Sequence, residues 1–174
     1  MLHRLCVGLT LPLLLGAVQP ENLPAGWRVF TSKEGRFAVA LPGAPEQSKQ
    51  RVLTASTALD VHFFVVDTKD GTYVVSYCDM PADEVQPGSE AKRLDLARDG
   101  AVANAKGKLK SEKERNLDGH PGRELDIETD KGQRIGMRII AVKHRLYQAM
   151  VMGSAKSTQS PDAVRFLDSL RLAK

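Results

Sequence analysis

Residues 133–152 predict the fold class: an α/β fold of the α+β kind, a three-layer sandwich whose central, mainly antiparallel sheet carries packed helices. Three observations support it. Ile135, Met137, Ile139 and Ala141 alternate on one side of the stretch, while Ile140, Val142, Tyr147, Ala149 and Val151 load the other. A hairpin apolar on both faces belongs mid-sheet, with something packed above and below it. Two stretches with helical spacing, one before this hairpin and one after it, supply the cover. The chain after its leader is about 150 residues, one domain by length and enough to bury roughly 70% of its unfolded surface.

Residues 1–22 read as a signal peptide and linker, and 23–174 as a single domain. Met1–Arg4 is a short basic lead, and Leu5–Val18 is an apolar run too short to span a bilayer comfortably. Cleavage is expected somewhere between Ala17 and Ala25. Retention of the segment would be the chain's one route to a membrane. Cys6 has no small residues before it, so it is not a lipidation site. Losing Arg4 lowers Lys+Arg from 25 to 24 against 21 Asp+Glu, a net of +3, which is an ordinary solvated surface and no nucleic-acid footprint. Only Cys78 then remains, so no internal disulfide can form. Aromatics are 5% of the chain, too few for a carbohydrate- or base-stacking surface.

In order, Trp27–Thr31 predicts a strand, turned by Lys33-Glu34-Gly35 into Arg36–Leu41, where Phe37, Val39 and Leu41 share a face. Pro42-Gly43-Ala44-Pro45 stops it. Lys49–Thr54 predicts a short polar strand and Leu59–Asp67 a stronger one. A turn centred on Asp70-Gly71 leads into Tyr73–Asp79. Pro81–Gly88 precedes a helix with Ser89 as N-cap, Glu90 in its first turn, Leu94, Ala97, Ala101 and Ala105 on one face, and Gly107 near its C-cap. That face of small residues should sit close to the sheet.

Lys108–Leu117, polar and lysine-rich, predicts a charge-guarded edge strand. Asp118-Gly119-His120-Pro121-Gly122 predicts a five-residue turn into Arg123–Thr129. A three-residue loop, Asp130-Lys131-Gly132, then sets Ile127 opposite Ile135, Leu125 opposite Met137, Glu128 opposite Arg134 and Glu124 opposite Arg138. Gly153–Gln159 reads as loop. Ser160-Pro161 starts the last helix, whose buried stripe is Ala163, Phe166, Leu167 and Leu170.

Gly35-Arg36-Phe37-Ala38-Val39-Ala40-Leu41-Pro42-Gly43-Ala44-Pro45, Asp118-Gly119-His120-Pro121-Gly122-Arg123-Glu124, Arg145-Leu146-Tyr147 and Arg165-Phe166-Leu167-Asp168-Ser169-Leu170 together resemble the PsbP-like superfamily. That superfamily is named for an extrinsic subunit of photosystem II and shares its fold with a Ran-binding family. The resemblance covers most of the chain after residue 26, through turns and core anchors. It implies an antiparallel sheet between helices, and non-catalytic roles in assembly, cofactor retention or protein binding. No photosystem-contact or metal motif of the family matches residue by residue.

The residues themselves hold no catalytic signature. His62, His120 and His144 match no zinc spacing, and Cys78 stands outside any Cys-x-x-Cys pair, as a small strand residue with an unhelpful Asp79 beside it. Ser89-Glu90-Ala91-Lys92 spells Ser-x-x-Lys, but the partner motifs of penicillin-binding enzymes are missing and capping explains the serine. Asp126-x-Glu128-x-Asp130-x-Gly132 echoes a calcium loop with its glycine one place late; cross-strand pairing with Arg134 and Arg138 accounts for it. Lys106, Lys108, Lys110, Lys113 and Arg115 guard an edge. The sequence therefore assigns no catalytic and no metal residues and no cofactor. It predicts an exported, non-enzymatic binding or assembly module, secreted or periplasmic, with a protein partner in the envelope. The alternatives are a small-molecule or metal carrier with a sheet–helix pocket, and a hydrolase with loop-borne residues.

Overall fold

The computed structural model describes residues 23–53, 58–81 and 85–173; the leader and linker of residues 1–22 lie outside them. The elements run β1 (Arg28–Ser32), β2 (Phe37–Leu41), β3 (Glu46–Leu53), β4 (Ala58–Thr68), β5 (Gly71–Asp79), α1 (Glu90–Asn104), β6 (Lys108–Leu117), β7 (His120–Glu128), β8 (Arg134–Val142), β9 (Arg145–Gly153), α2 (Ala155–Thr158), α3 (Pro161–Ser169) and β10 (Arg171–Leu172). Seven strands form one sheet in the order β3-β4-β5-β9-β8-β7-β6, and β1-β2-β10 form a second, smaller one. Every pairing is antiparallel.

The β8–β9 hairpin lies inside the large sheet, as its two-sided apolar pattern requires. Met137, Ile139 and Ala141 pack on the α1 side with Leu94, Leu125 and Ile127. Ile140, Tyr147, Ala149 and Val151 pack on the other side with Phe37, Phe64 and Phe166. The β7–β8 register is the expected one at all four positions. Gly132 (φ 73°) holds the left-handed place in the loop, and the Thr129 N–H donates to the Gln133 carbonyl at 2.9 Å. Arg138 Nε meets Glu124 at 2.9 Å. Arg134, opposite Glu128, instead bonds diagonally to Asp126 (Nε–Oδ1 2.9 Å) and leaves Glu128 at 3.9 Å.

Several local expectations are corrected. The turn before β7 is the two-residue Asp118-Gly119, both with positive φ (52° and 85°). That is the primed geometry matching strand twist, so His120, Pro121 and Gly122 are already strand. The β4–β5 turn is centred on Lys69-Asp70, one place early, with Thr68 opposite Gly71. The loop 153–159 contains the short helix α2, capped by Ser154, whose Oγ accepts the Ser157 N–H at 3.1 Å. The face opposite α1 carries the three-stranded sheet as well as α3, not helices alone.

On that face Ser160 Oγ accepts the Ala163 N–H at 3.1 Å and starts α3, which presents Phe166 at 0% exposure to the core. Ser169 Oγ accepts the Ala40 N–H at 2.8 Å and donates to the Phe166 carbonyl at 2.7 Å, fastening α3 to β2. Tyr147 Oη donates to the Gly35 carbonyl at 2.8 Å, tying β9 to the β1–β2 turn.

At the end of α1, Lys106 (φ 46°) takes the left-handed position. The Gly107 N–H donates to the Val102 carbonyl at 3.1 Å and the Lys106 N–H to that of Ala103 at 3.0 Å, a Schellman closure. Gly107 is needed for a different reason: a Cβ there would stand 2.5 Å from the Glu128 carbonyl oxygen. At the start, Ser89 occupies the N-cap position but its side chain makes no cap hydrogen bond.

Candidate functional site: a groove between the first helix and the sheet

α1 rests on β7 and β8, and its sheet-facing side is mostly alanine and glycine. Small side chains let a helix approach but cover little area. The strands beyond its reach stay open on that face, leaving a groove of about 510 Å³ between α1 and β4, β5 and β9. Its floor includes Val61, Phe63, Met137, Met150 and Met152. A Cβ added to Gly100, on the helix wall, would meet nothing within 4 Å. The size is that of small-ligand sites, and so is the predominance of apolar lining with a few polar groups, here Gln148, Thr129 and Asn104. Three of the five methionines line it, and methionine adapts its shape to what it touches.

The wall is anchored by charge. Arg123 of β7 bonds to Asp95 of α1 (2.6 Å) and to Glu112 of β6. Arg98 joins Asp95 (3.2 Å), Asp99 (2.8 Å) and Glu112 (3.2 Å). Elsewhere burial would raise the Glu124 carboxyl, but hydrogen bonds from Arg138 and Arg115 outweigh it and hold the group below the usual range.

The sequence-flagged residues fall elsewhere, with one exception. His62 stacks on Tyr77 (4.5 Å between centroids, 7°), with Glu34 at 3.9 Å. His144 Nε2 stands 3.6 Å from Asp79 at a hairpin tip, where Arg145 grips Asp79 through two bonds of 2.6 Å. His120 lies on β7. Among the described residues, no group of three His, Cys, Asp or Glu side chains is arranged to hold a metal ion. Lys110 pairs with Glu128 at 3.4 Å along the β6 edge. The exception is Cys78, which lines the groove.

Burial, with the Asp79 charge beside it, pushes the Cys78 thiol up to about 11 against the opposing pull of Arg145. It is a poor nucleophile at neutral pH. A group whose folded pKa is raised stabilises fully below its unfolded value, here 9.0, and that stability is lost as pH rises through the folded value. Between about pH 9 and 11 the melting temperature of the wild type should therefore fall more steeply than that of Cys78→Ala. Parallel curves would show that the thiol is not held protonated by the fold.

The chain has a PsbP-like fold. The solution structure of cyanobacterial PsbP (CyanoP) from Synechocystis sp. superposes with a TM-score of 0.57 at 12% identity, covering 87% of this chain and 95% of that one. A protein of unknown function from Pseudomonas aeruginosa gives a TM-score of 0.41 at 11% identity over 67% of this chain and 90% of that one. No protein-family model and no curated protein matches the sequence. At 12% identity the likeness to cyanobacterial PsbP extends to the fold alone. No helix among the described residues is long and apolar enough to cross a membrane.

Proposed function

We propose that the chain is a non-enzymatic binding module exported to the cell envelope, and that the groove beside α1 is its binding site. The observation that carries this is the uncovered apolar floor of β4 and β9, on the sheet face opposite the core that packs Phe37, Phe64 and Phe166. Export rests on the basic lead and apolar run of residues 1–18. The groove favours the carrier reading over a purely protein-binding one, because a concave slot closed by a helix suits a small apolar molecule better than a flat partner surface. The protein partner expected from the sequence would sit at the open edge strand β3, where Leu53 is 80% exposed.

The test is titration with the neutral dye N-phenyl-1-naphthylamine. Saturable fluorescence enhancement is expected, weakened at least tenfold by Phe63→Asp, which places a charge on the groove floor. Equal enhancement in both proteins would remove the groove from the account.

A further inference from the structure

Met150-Val151-Met152 puts two methionines on one face of β9, and Met137 of β8 stands directly opposite Met150 in the ladder. All three line the groove. Met137 is buried in its floor, while Met150 and Met152 are half-buried. This register sets the Cβ atoms of Met137 and Met150 about 5 Å apart, with that of Met152 about 7 Å from Met150 and about 7–8 Å from Met137. A methionine carries its sulfur beyond Cβ on freely turning single bonds. Three sulfurs rooted so close together can reach one point above the sheet.

Thioethers are soft, neutral donors, and such donors select Cu(I) over hard divalent ions. The described residues that line the groove include no carboxylate, imidazole, amine or guanidinium, so calcium, magnesium and zinc find no ligand set there. Neutral donors also leave the charge of the ion uncompensated. The cost of taking that charge out of water grows with its square, which favours a monovalent ion. Cys78 shares the face but stands opposite Leu146, about 13 Å along β9 from Met150, and is no ligand to the same ion. The direction of α1 agrees. Asn104, its last residue, lines the groove, and Gly107 just beyond it stands against Glu128 and Ile127. Ile127 faces Ile135, and Ile135 faces Met152. The helix therefore ends beside the row that holds Met152, and the partial negative charge of a helix C-terminus favours a cation.

We propose that Met137, Met150 and Met152 form a thioether site for a soft monovalent metal ion, the chemistry of Cu(I). The site goes beyond the binding of a small apolar molecule and stands on the strand register, whether or not the groove takes the dye. A thioether has no proton to lose, so the affinity should not depend on pH, whereas a thiolate or imidazole site weakens in acid.

Silver(I), a soft monovalent ion stable in air, is the probe, added as the nitrate in chloride-free buffer to protein with carbon-13-labelled methionine methyl groups. One equivalent should saturate the site, shifting the signals of Met137, Met150 and Met152 and leaving Met80 in place. Cu(I) held by bicinchoninate under argon should transfer to the protein, and Zn(II) should move none of the three signals. Met150→Leu and Met152→Leu keep size and apolar character, so each should melt within a few degrees of wild type without metal and bind silver at least tenfold more weakly. Cys78→Ala should bind silver as wild type does, and affinity at pH 5.5 should match that at pH 8 within about twofold. Silver that leaves the three methyl signals unmoved, undiminished binding in both leucine variants, loss of binding in Cys78→Ala, or a tenfold weakening at pH 5.5 overturns the site. Dye binding without silver binding overturns the metal site and leaves the groove standing as a site for apolar molecules; silver binding without dye binding does the reverse.

Discussion

Replacing Phe166 by alanine should cost about 3–5 kcal/mol, the range for emptying a buried phenylalanine site, against a typical total stability of about 5–15 kcal/mol. Phe166 is fully buried, meets Tyr73 edge-on at 5.3 Å between ring centroids, and is the largest side chain that α3 contributes to the core. α3 has nine residues, too few to persist in water without packing. Arg165, one position away, pairs with Asp162 at 2.6 Å with both side chains more than a third exposed, so Arg165→Ala should cost no more than about 1 kcal/mol. Urea unfolding of the two variants separates the cases. Equal midpoints would mean that α3 does not close the core.

The second large effect is expected at Arg123. Its side chain is 18% exposed and links α1, β6 and β7 through Asp95 and Glu112. Arg123→Ala leaves those two carboxylates with Arg98 alone. The expected loss is about 2–3 kcal/mol, between the 0–1 kcal/mol of an exposed pair and the 3–5 kcal/mol of breaking a fully buried one. Arg115→Ala, at 45% exposure on a pair with Glu124, is the matched control and should stay within about 1 kcal/mol. Amide exchange in α1 should accelerate in Arg123→Ala beyond what global destabilisation explains, because the small-residue face of the helix grips the sheet weakly. Identical behaviour of the two variants would show that charge does not hold the groove wall.

The central hairpin and the β7–β8 register were legible because each residue there satisfies two patterns at once. Ile127 and Leu125 face Ile135 and Met137, while Glu124 faces Arg138, and a one-residue slip would break both patterns. The turns were less legible. His120-Pro121-Gly122 are turn formers by type, yet Asp118-Gly119 alone reverses the chain, and Pro121 is tolerated because pairing with β8 begins only at Gly122. The strand β10 is two residues long, too short for any periodicity. The separation of β1 and β2 into a second sheet is set by long-range packing. The groove was hidden for a physical reason: the alanine face of α1 signals close approach, and the area such a face leaves uncovered appears only when the strands beneath it are placed.

The groove as a binding site is tested most directly by carbon-13 labelling of the methionine methyl groups and titration with N-phenyl-1-naphthylamine. Met137, Met150 and Met152 line the groove, and Met80 does not. Saturable shifts are predicted for those three methyl signals, with Met80 unmoved. Shifts confined to Met80, or dye binding that leaves all three groove methyls in place, would contradict the account.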